Sequence, residues 1–72
     1  WGGGYQKAGI PDILACVNGY FVAIEVKGSN GKPTKLQEYN IRKINECNGV
    51  GIILYPKDFE RFEKLILDLL RR

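Results

Sequence analysis

The apolar and polar positions divide the chain into two short strands, a helix, a third strand and a final helix. Between Gly9 and Lys27 the run GIPDILACVNGYFVAIEVK holds two apolar segments parted by Asn18-Gly19. Both residues accept positive φ, so the pair predicts a two-residue type I′ turn, which fixes the register of the strands on either side. Val17 then faces Tyr20, followed outward by Cys16 with Phe21, Leu14 with Ala23 and, at the open end, Asp12 with Glu25. Apolar residues occupy both faces of this hairpin, which predicts a layer covered on both sides with the acids at its rim. Pro11, which lacks an N–H, suits the start of the first strand.

Gly28-Ser29-Asn30-Gly31-Lys32-Pro33 reads as a loop. Thr34-x-x-Gln37 is a capping box, starting a helix that runs to about Cys47 with Leu36, Tyr39 or Asn40, Ile44 and Cys47 as its apolar stripe. Asn48-Gly49 ends it in the left-handed conformation. VGIILY, Val50 to Tyr55, follows at the spacing of a crossover connection, so it should lie parallel to the second strand. Pro56 closes that strand. Asp58 is placed to cap a last helix whose stripe is Phe59, Phe62, Leu65, Ile66, Leu69 and Leu70, suited to a core or a dimer interface. Arg71 and Arg72 suit the negative end of its dipole. The expected architecture is one small α/β domain spanning 1–72, with a mixed sheet made of a β-hairpin, a crossover helix, a parallel strand and a C-terminal helix.

Length and composition sharpen this. Seventy-two residues lie near the lower limit for a self-sufficient core, which makes a homodimer physically reasonable. No apolar run is long enough to cross a bilayer. Net charge is +3 with a pI near 9.0, which favours a polyanionic partner. Histidine is absent, which removes imidazole acid–base chemistry and zinc held by His. Cys16 and Cys47 match no zinc or redox spacing and read as small buried hydrophobes in a reducing, cytoplasmic setting.

The candidate chemistry lies at the open end of the hairpin. Like charges facing each other across a ladder repel, so Asp12 opposite Glu25 calls for a neutralising partner. Lys27 is two residues beyond Glu25, on the same face and roughly 7 Å further along. Two carboxylates with a nearby backbone carbonyl and water suit Mg²⁺ or Mn²⁺, and a lysine beside them suits metal-assisted phosphodiester hydrolysis. The plainer alternative is a strand-end ion pair between Lys27 and Glu25.

Pro11-Asp12 followed by Glu25-Val26-Lys27 resembles the PD-(D/E)XK nuclease signature. The longer run, with Gly9-Ile10, Asn18-Gly19, Phe21-Val22-Ala23-Ile24, Lys32-Pro33-Thr34 and Leu36-Gln37, is similar to the VRR-NUC branch, particularly its small stand-alone phage and bacterial members. This resemblance implies a restriction-endonuclease-like core and a divalent-metal-dependent DNA nuclease, often acting on branched or flapped DNA and often dimeric. It implies that Asp12, Glu25 and the Val26 carbonyl bind the metal, that Lys27 assists catalysis, and that Gln37 lies close to the site. The family's N-terminal helix, with its further acid, has no counterpart here. A segment missing from the chain, in keeping with the absence of an initiating Met, or a less complete site is expected.

Gln37 thus has two roles open to it, since the capping box alone explains a glutamine there. Lys32 and Lys35 flank the proposed site and can reach phosphates, or serve only as solvated loop charges. Gly2-Gly3-Gly4 reads either as a flexible leader or as a close approach for a nucleic acid backbone, with Tyr5, Gln6 and Lys7 in contact. The competing functions are a DNA-binding module on the same fold without turnover, and an interaction domain assembled through its last helix.

Overall fold

The computed structural model describes residues 9–72. β1 (Ile13–Val17) and β2 (Tyr20–Val26) form the hairpin, in the register that the Asn-Gly turn dictates, from Val17 opposite Tyr20 to Ile13 opposite Ile24. Asn18 and Gly19 both take positive φ, 50° and 84°, as a type I′ turn requires. α1 (Lys35–Glu46) leads to β3 (Val50–Leu54), which lies parallel to β2 and gives the sheet order β1-β2-β3. A single 3₁₀ turn at Pro56–Asp58 then enters α2 (Phe59–Arg71). This is the mixed α/β architecture expected, with a restriction-endonuclease-like arrangement of hairpin, helix and parallel strand.

Strand alternation assigns the two helices to opposite faces of the sheet. Val22 and Ile24 of β2 join Leu54 and Leu69 in the buried cluster, with Val50, Ile52, Phe62, Leu65 and Ile66 packed around it, so α2 covers that face. The other face carries Ala23, Glu25 and Gly51. A Cβ on Gly51 would stand 2.8 Å from the Ile41 carbonyl oxygen, so only glycine lets α1 come this close to β3. Asn45 reinforces the contact with a two-way pair to the Gly51 backbone, donating to its carbonyl at 3.1 Å and accepting from its N–H at 2.8 Å. Since β3 is an edge strand, this pair also occupies hydrogen-bonding groups that would otherwise face outward.

Several expectations need correction. The hairpin is not covered on both faces among the described residues: Ile13, on the face of α2, is about half exposed at the open end of the edge strand β1, and Leu14 and Phe21 are about half exposed because α1 packs over β3 and β2 while β1 lies at the opposite edge. Cys16 is exposed for the same reason, and Cys47, as the residue capping α1, is exposed too. The buried stripe of α1 centres on Ile41, with Asn40 and Ile44 beside it, whereas Leu36 and Tyr39 are well exposed. Asp58 does precede α2, but its side chain makes no capping hydrogen bond and lies 3.7 Å from Arg61 instead. On α2, Leu69 is buried while Phe59 and Leu70 point to solvent. The end of α1 is as expected, with Asn48 at φ 68°.

Candidate active site

Three side chains converge at the open end of the hairpin. Glu25 comes from β2, the central strand, on the face that α1 covers, and is only 4% exposed. Lys27 lies just past the strand. Its backbone N–H donates to the Leu54 carbonyl at 2.9 Å, which keeps the chain extended and returns the side chain to Glu25's face. Its Nζ is 3.6 Å from Glu25 Oε2. Asp12 departs from simple extrapolation. The backbone ladder stops at Ile13 and Ile24, and Asp12 continues it with its carboxylate, accepting the Val26 N–H on Oδ2 at 3.0 Å.

The electrostatics identify Glu25 as the strained member. Burial raises its pKa, and the neighbouring Asp12 carboxylate raises it further, both through its charge and because a protonated Glu25 could donate to it; Lys27 opposes these effects. Its Oε1 is buried with no hydrogen-bond partner. Such a group costs its full desolvation penalty, on the order of 1–3 kcal/mol and more when charged. Lys27 reaches only the other oxygen, so the surface ion-pair reading leaves Oε1 unexplained. A divalent cation bound between the two carboxylates would satisfy it. Among the described residues no group of three or more His, Cys, Asp and Glu side chains gathers, and the acidic donors at hand are the Asp12 and Glu25 carboxylates. That set fits Mg²⁺ or Mn²⁺, which are commonly held by one or two carboxylates together with water and substrate phosphate.

The other predicted residues separate. Gln37 is committed to the capping box: its Oε1 accepts the Thr34 N–H at 2.8 Å while Thr34 Oγ1 accepts the Gln37 N–H at 3.1 Å. Lys32 lines a cleft beside the site, and Lys35 is the exposed first residue of α1. Tyr5, Gln6 and Lys7 lie outside the described residues.

One contributor was not singled out from sequence. Asn40 donates from Nδ2 to the Gly9 carbonyl at 2.8 Å, tying α1 to the segment that delivers Pro11 and Asp12. Gly9 sits at φ 82°, and a Cβ there would come within 2.6 Å of Leu36 Cγ. The available signal was a polar residue competing with Tyr39 for the buried stripe.

Likeness to known proteins bears on the lineage of this cluster. The family model described as archaeal Holliday junction resolvase (Hjc) matches residues 2–49, two thirds of the chain. The chain belongs to the Hjc family. This is a family of nucleases within the PD-(D/E)XK superfamily, so the superfamily inferred from Pro11-Asp12 and Glu25-Val26-Lys27 holds; the family matched is Hjc, and membership of the VRR-NUC branch is not shown. The Hjc match takes in all three converging residues and ends just before β3. No curated protein and no solved structure gives a significant match to the chain. No helix among the described residues is long and apolar enough to cross a membrane.

Proposed function

We propose that this chain is a divalent-metal-dependent endonuclease that hydrolyses phosphodiester bonds in branched DNA, four-way junctions and flaps included. The observation that carries the reading is the buried, unpartnered Oε1 of Glu25 beside Asp12 and Lys27. Asp12, Glu25 and the Val26 carbonyl would hold Mg²⁺ or Mn²⁺, which when bound supplies Lewis-acid activation of water and neutralises phosphate charge. Lys27 remains close to Glu25 and donates to a non-bridging phosphate oxygen as negative charge builds there. Asp12, by accepting the Val26 N–H, fixes the backbone of the residue whose carbonyl serves as the third oxygen donor. Gln37 supports the site from the start of α1 through its amide NH₂, since its Oε1 serves the cap. Lys32, Lys35, Tyr5, Gln6 and Lys7 contribute DNA contacts.

The likeness to small stand-alone VRR-NUC proteins supports flapped as well as four-way substrates, a homodimer of single-domain chains, and a cytoplasmic setting in a bacterial or phage-infected cell. The test is a cleavage panel of linear, nicked, flapped and four-way DNA with Mg²⁺, Mn²⁺ or chelator. Fragments from the branched substrates with either ion, and none with chelator or with Glu25→Gln, are expected. That only two carboxylates gather among the described residues favours a second reading, a DNA-binding module without turnover. It would shift the mobility of junctions in the same panel and release no fragments.

A further inference from the structure

β2 and β3 run parallel and stop at the same end of the sheet, the end that carries Glu25 and Lys27. The segments leaving them, residues 29–32 and 55–57, form the walls of an open cleft of about 520 Å³. One of its walls backs onto the site: Gly31, held by its N–H on the Gly28 carbonyl at 2.9 Å, lies beside Lys27, and a Cβ on it would stand 3.5 Å from Lys27 Cβ. Lys32 stands in one wall and Lys57 in the other, and no carboxylate lines the cleft.

Arg42, Lys43, Arg61 and Arg72 each pair with a carboxylate three or four residues away, whereas among the described residues Lys32 and Lys57, like Lys35, Lys64 and Arg71 on the helices, make no ion pair; what sets Lys32 and Lys57 apart is that they line one cleft together. Lys57 is oriented nonetheless, with its Nζ 5.8 Å from the centroid of the Tyr55 ring. Ser29 and Asn30 add small polar groups that suit sugar and phosphate oxygens. Since Lys57 already covers the Tyr55 ring, a phosphate suits the cleft better than a stacked base.

We propose that this cleft grips the sugar–phosphate backbone of the strand beside the scissile bond, with Lys32 and Lys57 on phosphates and Tyr55 positioning Lys57. The proposal rests on the nuclease reading for the word scissile alone. Tyr55 and Lys57 lie beyond the residues that the Hjc family matches, so this subsite is argued from the chain's own geometry.

The test is fluorescence anisotropy of the whole chain on a labelled four-way junction with chelator present, across a series of KCl concentrations. Each neutralised phosphate contributes about 0.9 to the slope of log K against log salt. Lys32→Ala and Lys57→Ala should each lower the slope by about 1, and the double variant by about 2. Tyr55→Phe should bind as wild type and Tyr55→Leu like Lys57→Ala, because the ring and not the hydroxyl orients the ammonium group. Lys64→Ala, an exposed lysine of α2, is the control. A double variant whose slope and affinity equal those of that control would overturn the proposal, even with metal-dependent cleavage intact. A wild-type chain that cleaves nothing, yet loses slope on Lys57→Ala, would support the phosphate site and overturn only the catalytic reading.

Discussion

At the closed end of the hairpin, Asn18 donates from Nδ2 to the carbonyls of Leu69 and Arg72, both at 2.9 Å. At the open end, roughly 17 Å along β1, Glu25 keeps one carboxylate oxygen buried without a partner. Both ends are tight, polar and built from short sequence signals, but their polar groups have opposite fates. Asn18 takes up the carbonyls that end α2, groups that every helix C-terminus leaves unsatisfied, and so pins the helix that covers one face of the sheet. Glu25 keeps an oxygen that nothing among the described residues satisfies.

The largest effect that would test this contrast is on catalysis. Glu25→Ala should abolish metal-dependent cleavage of junction DNA, and Lys27→Ala should slow it by about 10²–10³-fold, read in single-turnover assays. Cleavage by Glu25→Ala at the wild-type rate would remove the open end from the mechanism. Next in size is the closed end. Asn18→Ala loses two hydrogen bonds and forces alanine to φ 50°, together worth about 2–3 kcal/mol. Its urea midpoint should fall accordingly, with the cleavage rate unchanged at low temperature where the fold is intact. A loss of activity without loss of stability would mean that the two ends do not divide the work as described.

A finer distinction comes from pH. Because folding raises the Glu25 pKa above its ordinary 4.5, the folded state prefers the protonated acid. Its contribution to stability is therefore complete below that value and declines as pH rises through the folded-state pKa. Glu25→Gln should accordingly gain on wild type in melting temperature between pH 4 and 7. Mg²⁺ or Mn²⁺ at about 100 times its Kd should restore about 2.7 kcal/mol to wild type and nothing to the variant. Equal pH profiles for the two chains would show that the carboxylate is not strained. The smallest effect concerns Gln37. Gln37→Ala should cost about 0.5–1 kcal/mol through the lost cap, while Gln37→Glu, which still accepts the Thr34 N–H, should cost almost nothing. Wild-type cleavage by both would leave Gln37 as a capping residue alone.

The accuracy of the sequence reading varied with the range of the interaction. The Asn18-Gly19 turn, its register, the Thr34–Gln37 capping box and the left-handed end of α1 all rest on a few adjacent residues, and all appear in the fold. The stripe of α1 went astray because a helix with polar residues on every side offers several faces, and which one is buried depends on Gly51 admitting Ile41 from another element. Cys16 and Leu14 went astray because apolar strand residues are buried only where something covers them, and β1 lies at the sheet edge away from α1.

The sequence by itself determined the pairing that brings Asp12, Glu25 and Lys27 to one end, because a two-residue turn leaves the strands a single register and alternation does the rest. Only the tertiary structure decided that Glu25 is buried and Asp12 exposed, that Asp12 bonds through its side chain, and that the loops after β2 and β3 bring Lys32 and Lys57 into one cleft. Burial and charge environment are set by the elements that pack over a residue from elsewhere in the chain, and a local pattern carries no record of them.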